Sequence, residues 1–134
     1  MLPLSDEQTA TLRAAVDRII PPDAFPAGWA GGVGGYLARG FAGDLADLLP
    51  AYRDGLDALD ATARAEWGRP FAAGGPSAQD DLLARIETGA RGEGLARFFA
   101  LLVTHTMEGF YGDPGDGGAR GPVAWAMIGF EVRG

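Results

Sequence analysis

The chain has no cysteine and no lysine, one histidine (His105), and two serines (Ser5 and Ser77). Without cysteine there can be no disulfide, thiolate nucleophile, haem-attachment motif, iron–sulfur ligand or cysteine-rich zinc site. The redox compartment stays open, because a cysteine-free chain folds equally well in either. All eleven cations are Arg, against eighteen acids, for a formal charge of −7. Clustered cations of the kind that bind phosphate are missing, which argues against a nucleic-acid partner. Long apolar runs are missing too. The most apolar stretch, "LARFFALLV" at 95–103, is interrupted by Arg97 and is about half as long as a membrane span requires. The first residues carry no basic region, apolar core or twin arginine of an export leader, so the chain as given is not expected to direct its own secretion.

What is present suits a globular protein. The 134 residues are 47% apolar, enough for one domain spanning 1–134 and too few for two. Periodicity is helical. In "LSDEQTATLRAAVDRIIPP", Ser5 is an N-cap with Gln8 completing a capping box, Leu12, Val16, Ile19 and Ile20 follow at helical spacing, and Pro21 and Pro22 stop the helix. The next stretch, "DAFPAGWAGGVGGYLARGFAG", is ambiguous, with a short helix through Tyr36, Leu37 and Phe41 as one outcome. Leu45, Leu48, Tyr52, Leu56, Leu59, Ala63 and Trp67 then form one apolar stripe, with Pro50 kinking or restarting its helix and Gly68 and Pro70 ending it. Ser77 is read as the cap of a fourth helix carrying Leu82, Leu83 and Ile86.

The fifth helix, "EGLARFFALLVTHTMEGFY", is the most apolar. Leu95, Phe98, Phe99, Leu102, Val103, Met107 and Phe110 cover about half its circumference, while Leu101 points elsewhere. A helix like this is either central to a core or also covered by a partner. The expected fold is all-α: a compact domain of about five helices, followed by a glycine-rich C-terminal tail.

Catalytic chemistry finds little to work with. Asp80 and Asp81 are adjacent and read as surface acids, and "DPGD" lacks the alternating ligands of a calcium loop. Both serines read as helix caps. His105 sits at the edge of an apolar stripe, where a hydrogen-bonded packing role outweighs general-base chemistry, and Glu108 lies on the polar side. "GGVGGYL" has Leu37 where a dinucleotide fingerprint needs its third glycine, and "GDPGDGGAR" lacks the Lys-Ser/Thr ending of a P-loop. No catalytic, cofactor-binding or metal-ligating residue is assigned. The tail, "EGFYGDPGDGGARGPVAWAMIGFE", instead reads as a surface for another protein. Its candidate interface residues are Tyr111, Pro114, Gly117, Gly118, Trp125 and Phe130, with Trp125 as the aromatic anchor. Internal packing of Trp125 on the helices is the competing reading.

Four segments, "LSDEQTATLRAAVDRIIPPDAFPAG", "YRDGLDALDATARAEWGRPFA", "HTMEGFYGDP" and "GARGPVAWAMIGF", resemble in order the small third subunit of gluconate 2-dehydrogenase and its relatives. The resemblance implies a non-catalytic subunit that supports maturation and export of a large FAD-dependent dehydrogenase acting on sugars or sugar acids. FAD would sit in that partner and none in this chain, and a cytochrome subunit often completes such complexes. It also implies a periplasmic setting, commonly reached through a twin-arginine leader; this sequence shows no such leader, so a cytoplasmic complex or export with the partner is the alternative. After its proline turn the family usually reads Tyr-Gly-Gly-Asn, where this chain has Asp116, Gly117, Gly118 and Ala119. The turn glycines are kept, and the aromatic and amide side chains are replaced. The residues alone leave two other readings open, a stand-alone helical binding or regulatory module and a small carboxylate-based enzyme.

Overall fold

A computed structural model describes residues 2–22 and 27–111. Five α-helices make up most of the described chain: α1 (Asp6–Ile19), α2 (Gly34–Phe41), α3 (Leu49–Trp67), α4 (Pro76–Glu87) and α5 (Glu93–Tyr111). A π-helical turn, Trp29–Val33, leads into α2, and short 3-10 turns at Ala46–Leu48 and Phe71–Ala73 precede α3 and α4. No strand occurs among the described residues.

Local chemistry sets these boundaries. Ser5 accepts a hydrogen bond from the Gln8 amide while the Gln8 side chain accepts from the Ser5 amide, each at 3.0 Å, so the capping box of α1 is complete. Pro50 does not kink α3. It occupies the first turn, where its missing N–H costs no intrahelical bond. Gly68 ends α3 in the left-handed conformation, at φ 75°, which a side chain would disfavour.

The reading of Ser77 needs correction. The N-cap of α4 is Gly75, Pro76 starts the helix, and Ser77 lies exposed in the first turn, with no side-chain cap. Proline's fixed φ sets the start one residue before the serine, which leaves the hydroxyl past the capping position. The ambiguous stretch after α1 resolves into the π-helical turn and α2. Gly32, at φ 119°, breaks the helical path inside that turn, and the carboxylate of Asp17 on α1 accepts a 3.0 Å bond from the Trp29 amide at its start.

α5 is the central element, packing against all four other helices and the π-helical turn. It contributes Phe98, Phe99, Leu102, Met107 and Phe110 to a core that also holds Leu12, Val16 and Ile19 of α1, Tyr52, Leu56 and Leu59 of α3, and Leu82, Leu83 and Ile86 of α4. Leu95 and Val103, expected on the same arc, are only half-buried, and so is Leu101. Gln79, buried on α4, donates to the Phe71 carbonyl at 2.8 Å, and Asp60 accepts from the Phe71 amide at 2.8 Å, which fixes the turn between α3 and α4.

Candidate functional site

Two features of the helical body combine unusual polarity with unusual shape: a buried polar pair in the core and an apolar groove on its surface. Both lie where α3 meets α5.

The polar pair is Tyr52 of α3 and His105 of α5. The Tyr52 hydroxyl and His105 Nδ1 are 2.8 Å apart, and the two rings stack with centroids 5.8 Å apart and planes 13° from parallel. Tyr52 is fully buried and His105 is 6% exposed. Burial disfavours charge on both, lowering the histidine pKa and raising that of the tyrosine. Each is therefore neutral at neutral pH. With the tyrosine donating, Nδ1 accepts and the imidazole carries its proton on Nε2. Phe41 and Phe98 meet Tyr52 edge-on, with centroids at 5.0 and 5.4 Å. A polar contact walled in by aromatic rings orders the core; it does not present a base to a substrate.

Glu108, one turn beyond His105, serves a different partner. Its carboxylate accepts a 2.8 Å hydrogen bond from the Tyr36 hydroxyl of α2. Partial burial, and then that hydrogen bond, push the Tyr36 pKa up to about 12. The approach of α2 to α5 here depends on Gly109, where an added Cβ would lie 2.9 Å from the Tyr36 ring. The helix α5 thus uses its polar residues to seat α2 and α3.

The surface groove runs between α3 and α5, with a volume of about 470 Å³. Ala51, Gly55 and Ala58 line one wall, at positions that share a helix face, and Leu95, Phe98 and Leu101 line the other. Asp54 and Arg97 stand at the edges. Neither Tyr52 nor His105 lines it.

Asp80 is held by Arg18 of α1 through two bonds of 2.8 and 3.0 Å, which tie α1 to α4, and Asp81 pairs with Arg85 one turn along its own helix. Both acids are on the surface, as expected, and each has an arginine partner. Among the described residues, no group of three His, Asp or Glu side chains could hold a metal ion. Tyr111 ends α5, half-buried, with its ring edge-on to Phe110 at 4.9 Å and its hydroxyl shielded from solvent. Pro114, Gly117, Gly118, Trp125 and Phe130 lie outside the described residues. The groove was missed in the sequence, although Leu101, standing off the main apolar arc of α5, was its one legible trace.

The family model described as "Gluconate 2-dehydrogenase subunit 3" matches residues 6–132, nearly the whole chain. Neither the comparison with curated proteins nor that with solved structures returns a match.

Proposed function

The chain belongs to the gluconate 2-dehydrogenase subunit 3 family, and on that premise we propose that it is a non-catalytic accessory subunit of an FAD-dependent dehydrogenase acting on sugars or sugar acids. A third subunit implies larger partners, and no described helix is long and apolar enough to cross a membrane. In this reading the flavin and the substrate pocket belong to the large subunit. This chain binds that subunit and supports its folding, maturation or export. A cytochrome subunit would receive the electrons where one is present.

The observation that carries the proposal is the family match across 127 of the chain's residues, from 6 to 132. The internal chemistry agrees with it. The one histidine is committed to a core contact with Tyr52, and the best-placed carboxylate beside it, Glu108, is engaged by Tyr36. The tail residues Tyr111, Pro114, Gly117, Gly118, Trp125 and Phe130 belong to the same proposal as a contact surface for the large subunit, with Trp125 as anchor.

The test is to produce the large flavoprotein subunit with and without this chain, then measure its soluble yield, flavin content and dehydrogenase activity with an artificial electron acceptor. Co-production should raise all three. An unchanged large subunit, or stoichiometric flavin that stays with the isolated small chain through gel filtration, would contradict the proposal.

A further inference from the structure

We infer that Tyr52 and His105 form a redox-active pair: a one-electron oxidant of the oxygen-radical class takes an electron from the Tyr52 phenol while the phenolic proton passes to Nδ1 of His105. This chemistry belongs to the chain itself and does not depend on the accessory-subunit reading above.

A phenol that loses an electron becomes a strong acid, so it is readily oxidised at neutral pH only where a base already holds its hydrogen. Here the base is in place. The Tyr52 hydroxyl lies 2.8 Å from Nδ1, which accepts its hydrogen bond. In the oxidation the O–H bond of Tyr52 breaks, an N–H bond forms on Nδ1, and the departing electron reduces the oxidant. A neutral phenoxyl radical is left facing an imidazolium. When a reductant returns the electron, the proton crosses back along the same bond, so nothing has to enter or leave the core except the electron.

The surroundings suit that step. Tyr52 is fully buried and meets Phe41 and Phe98 edge-on, so its radical is kept from water and from coupling with a second radical. The electron's path outward is short, because Phe98 touches Tyr52 and also lines the surface groove. A cation in the core is costly. Glu108, one turn along α5, acts on the imidazole and favours its charged form, which offsets part of that cost. Tyr36 supplies an internal comparison. Its hydroxyl donates to the Glu108 carboxylate at 2.8 Å, but that pair is at the surface, where a radical is open to solvent and to coupling.

The test uses the full chain and tris(bipyridine)ruthenium(III), generated by a laser flash, as the one-electron oxidant. The chain has three tyrosines, so Tyr36→Phe with Tyr111→Phe leaves Tyr52 alone. That chain should give a phenoxyl radical in transient absorbance and electron paramagnetic resonance, and the radical should form more slowly in heavy water. It should also outlast the radical of free tyrosine. Adding Tyr52→Phe should abolish the signal. His105→Gln in the same background keeps a side-chain oxygen that can accept from the hydroxyl but cannot take its proton. It should slow phenoxyl formation by roughly a hundredfold, the low end of what a positioned base contributes to proton transfer. Tryptophan radicals without a phenoxyl signal in the chain holding Tyr52 alone would overturn the inference. So would a rate that His105→Gln leaves unchanged. Should His105→Gln melt below the assay temperature, the chain holding Tyr52 alone decides, and equal rates in light and heavy water would overturn it.

Discussion

Replacing Gly55 with alanine should destabilise the domain, although intrinsic helix propensity says the opposite. Gly55 is buried within the 19-residue helix α3, where glycine costs about 1 kcal/mol relative to alanine. On propensity alone the variant would gain that amount. The structure reverses the sign. The new Cβ would lie 2.3 Å from Cγ and Cδ1 of Phe98 and 2.6 Å from Cδ2, whereas carbon atoms in contact sit about 3.5–4.0 Å apart. The ring must therefore retreat by more than about 1 Å. Phe98 is 7% exposed and edge-on to Tyr52 at 5.4 Å, and Tyr52 in turn holds His105, so the displacement spreads into the aromatic cluster.

Overpacking of this kind costs about 1–3 kcal/mol, and loss of an edge-to-face pair adds about 0.5–1.5 kcal/mol. After the propensity gain of about 1 kcal/mol is subtracted, the net loss is about 0.5–3.5 kcal/mol. For a domain of this size each kcal/mol moves the melting temperature by roughly 3–6 °C, so thermal unfolding followed by circular dichroism resolves the effect easily. A rise in melting temperature would refute the packing argument. A double-mutant cycle sharpens the test: in a Phe98→Ala background the clash is gone, and Gly55→Ala should then be neutral or stabilising.

Other consequences follow from single contacts. Ser5→Ala should cost about 1 kcal/mol through loss of the α1 cap, while Ser77→Ala should stay within about 0.5 kcal/mol because its hydroxyl caps nothing; urea titration of both variants compares them directly. Phe99→Ala, at a position 2% exposed in the core, should lose about 3–5 kcal/mol and lower soluble yield, and near-parental melting would show that this arc of α5 is not core. His105 has a lowered pKa in the fold, so the unfolded chain binds its proton more readily and stability should fall as pH drops below about 6.5. His105→Gln should flatten that slope between about pH 6.5 and pH 5, above the range where carboxylates titrate, and an unchanged slope would contradict the assignment. Trp125→Ala should leave melting of the isolated chain nearly unchanged but weaken capture of the large subunit by roughly thirtyfold; a large drop in melting would favour internal packing.

The helices were legible because their termini and stripes are written in short-range chemistry. Ser5 with Gln8, the Tyr52–Leu56–Leu59–Ala63 stripe, and the Phe98–Phe99–Leu102 arc each carry their own instructions. So was the packing role of His105, since a lone histidine beside apolar residues has few chemical options. Its partner was not legible, because Tyr52 is 53 positions away and only the packing of α3 on α5 brings the rings together. The same holds for the groove: Gly55 looks like a helix defect until Phe98 is found against it. Ser77 was misjudged because Pro76 competes for the same helix start, and capping preference alone does not say which residue prevails. The interface residues of the tail beyond Tyr111 fall outside the described residues, and their role is tested by Trp125→Ala.

The central claim is that this chain works as a subunit of a flavoprotein complex. Affinity purification of the tagged chain from cells producing it together with the large subunit, read by subunit ratio and visible absorbance, tests that most directly. The large subunit should co-purify in fixed ratio, bringing a flavin spectrum and dehydrogenase activity that the small chain lacks when purified alone. Recovery of the small chain by itself, with the large subunit folded, flavin-loaded and active in the unbound fraction, would contradict it.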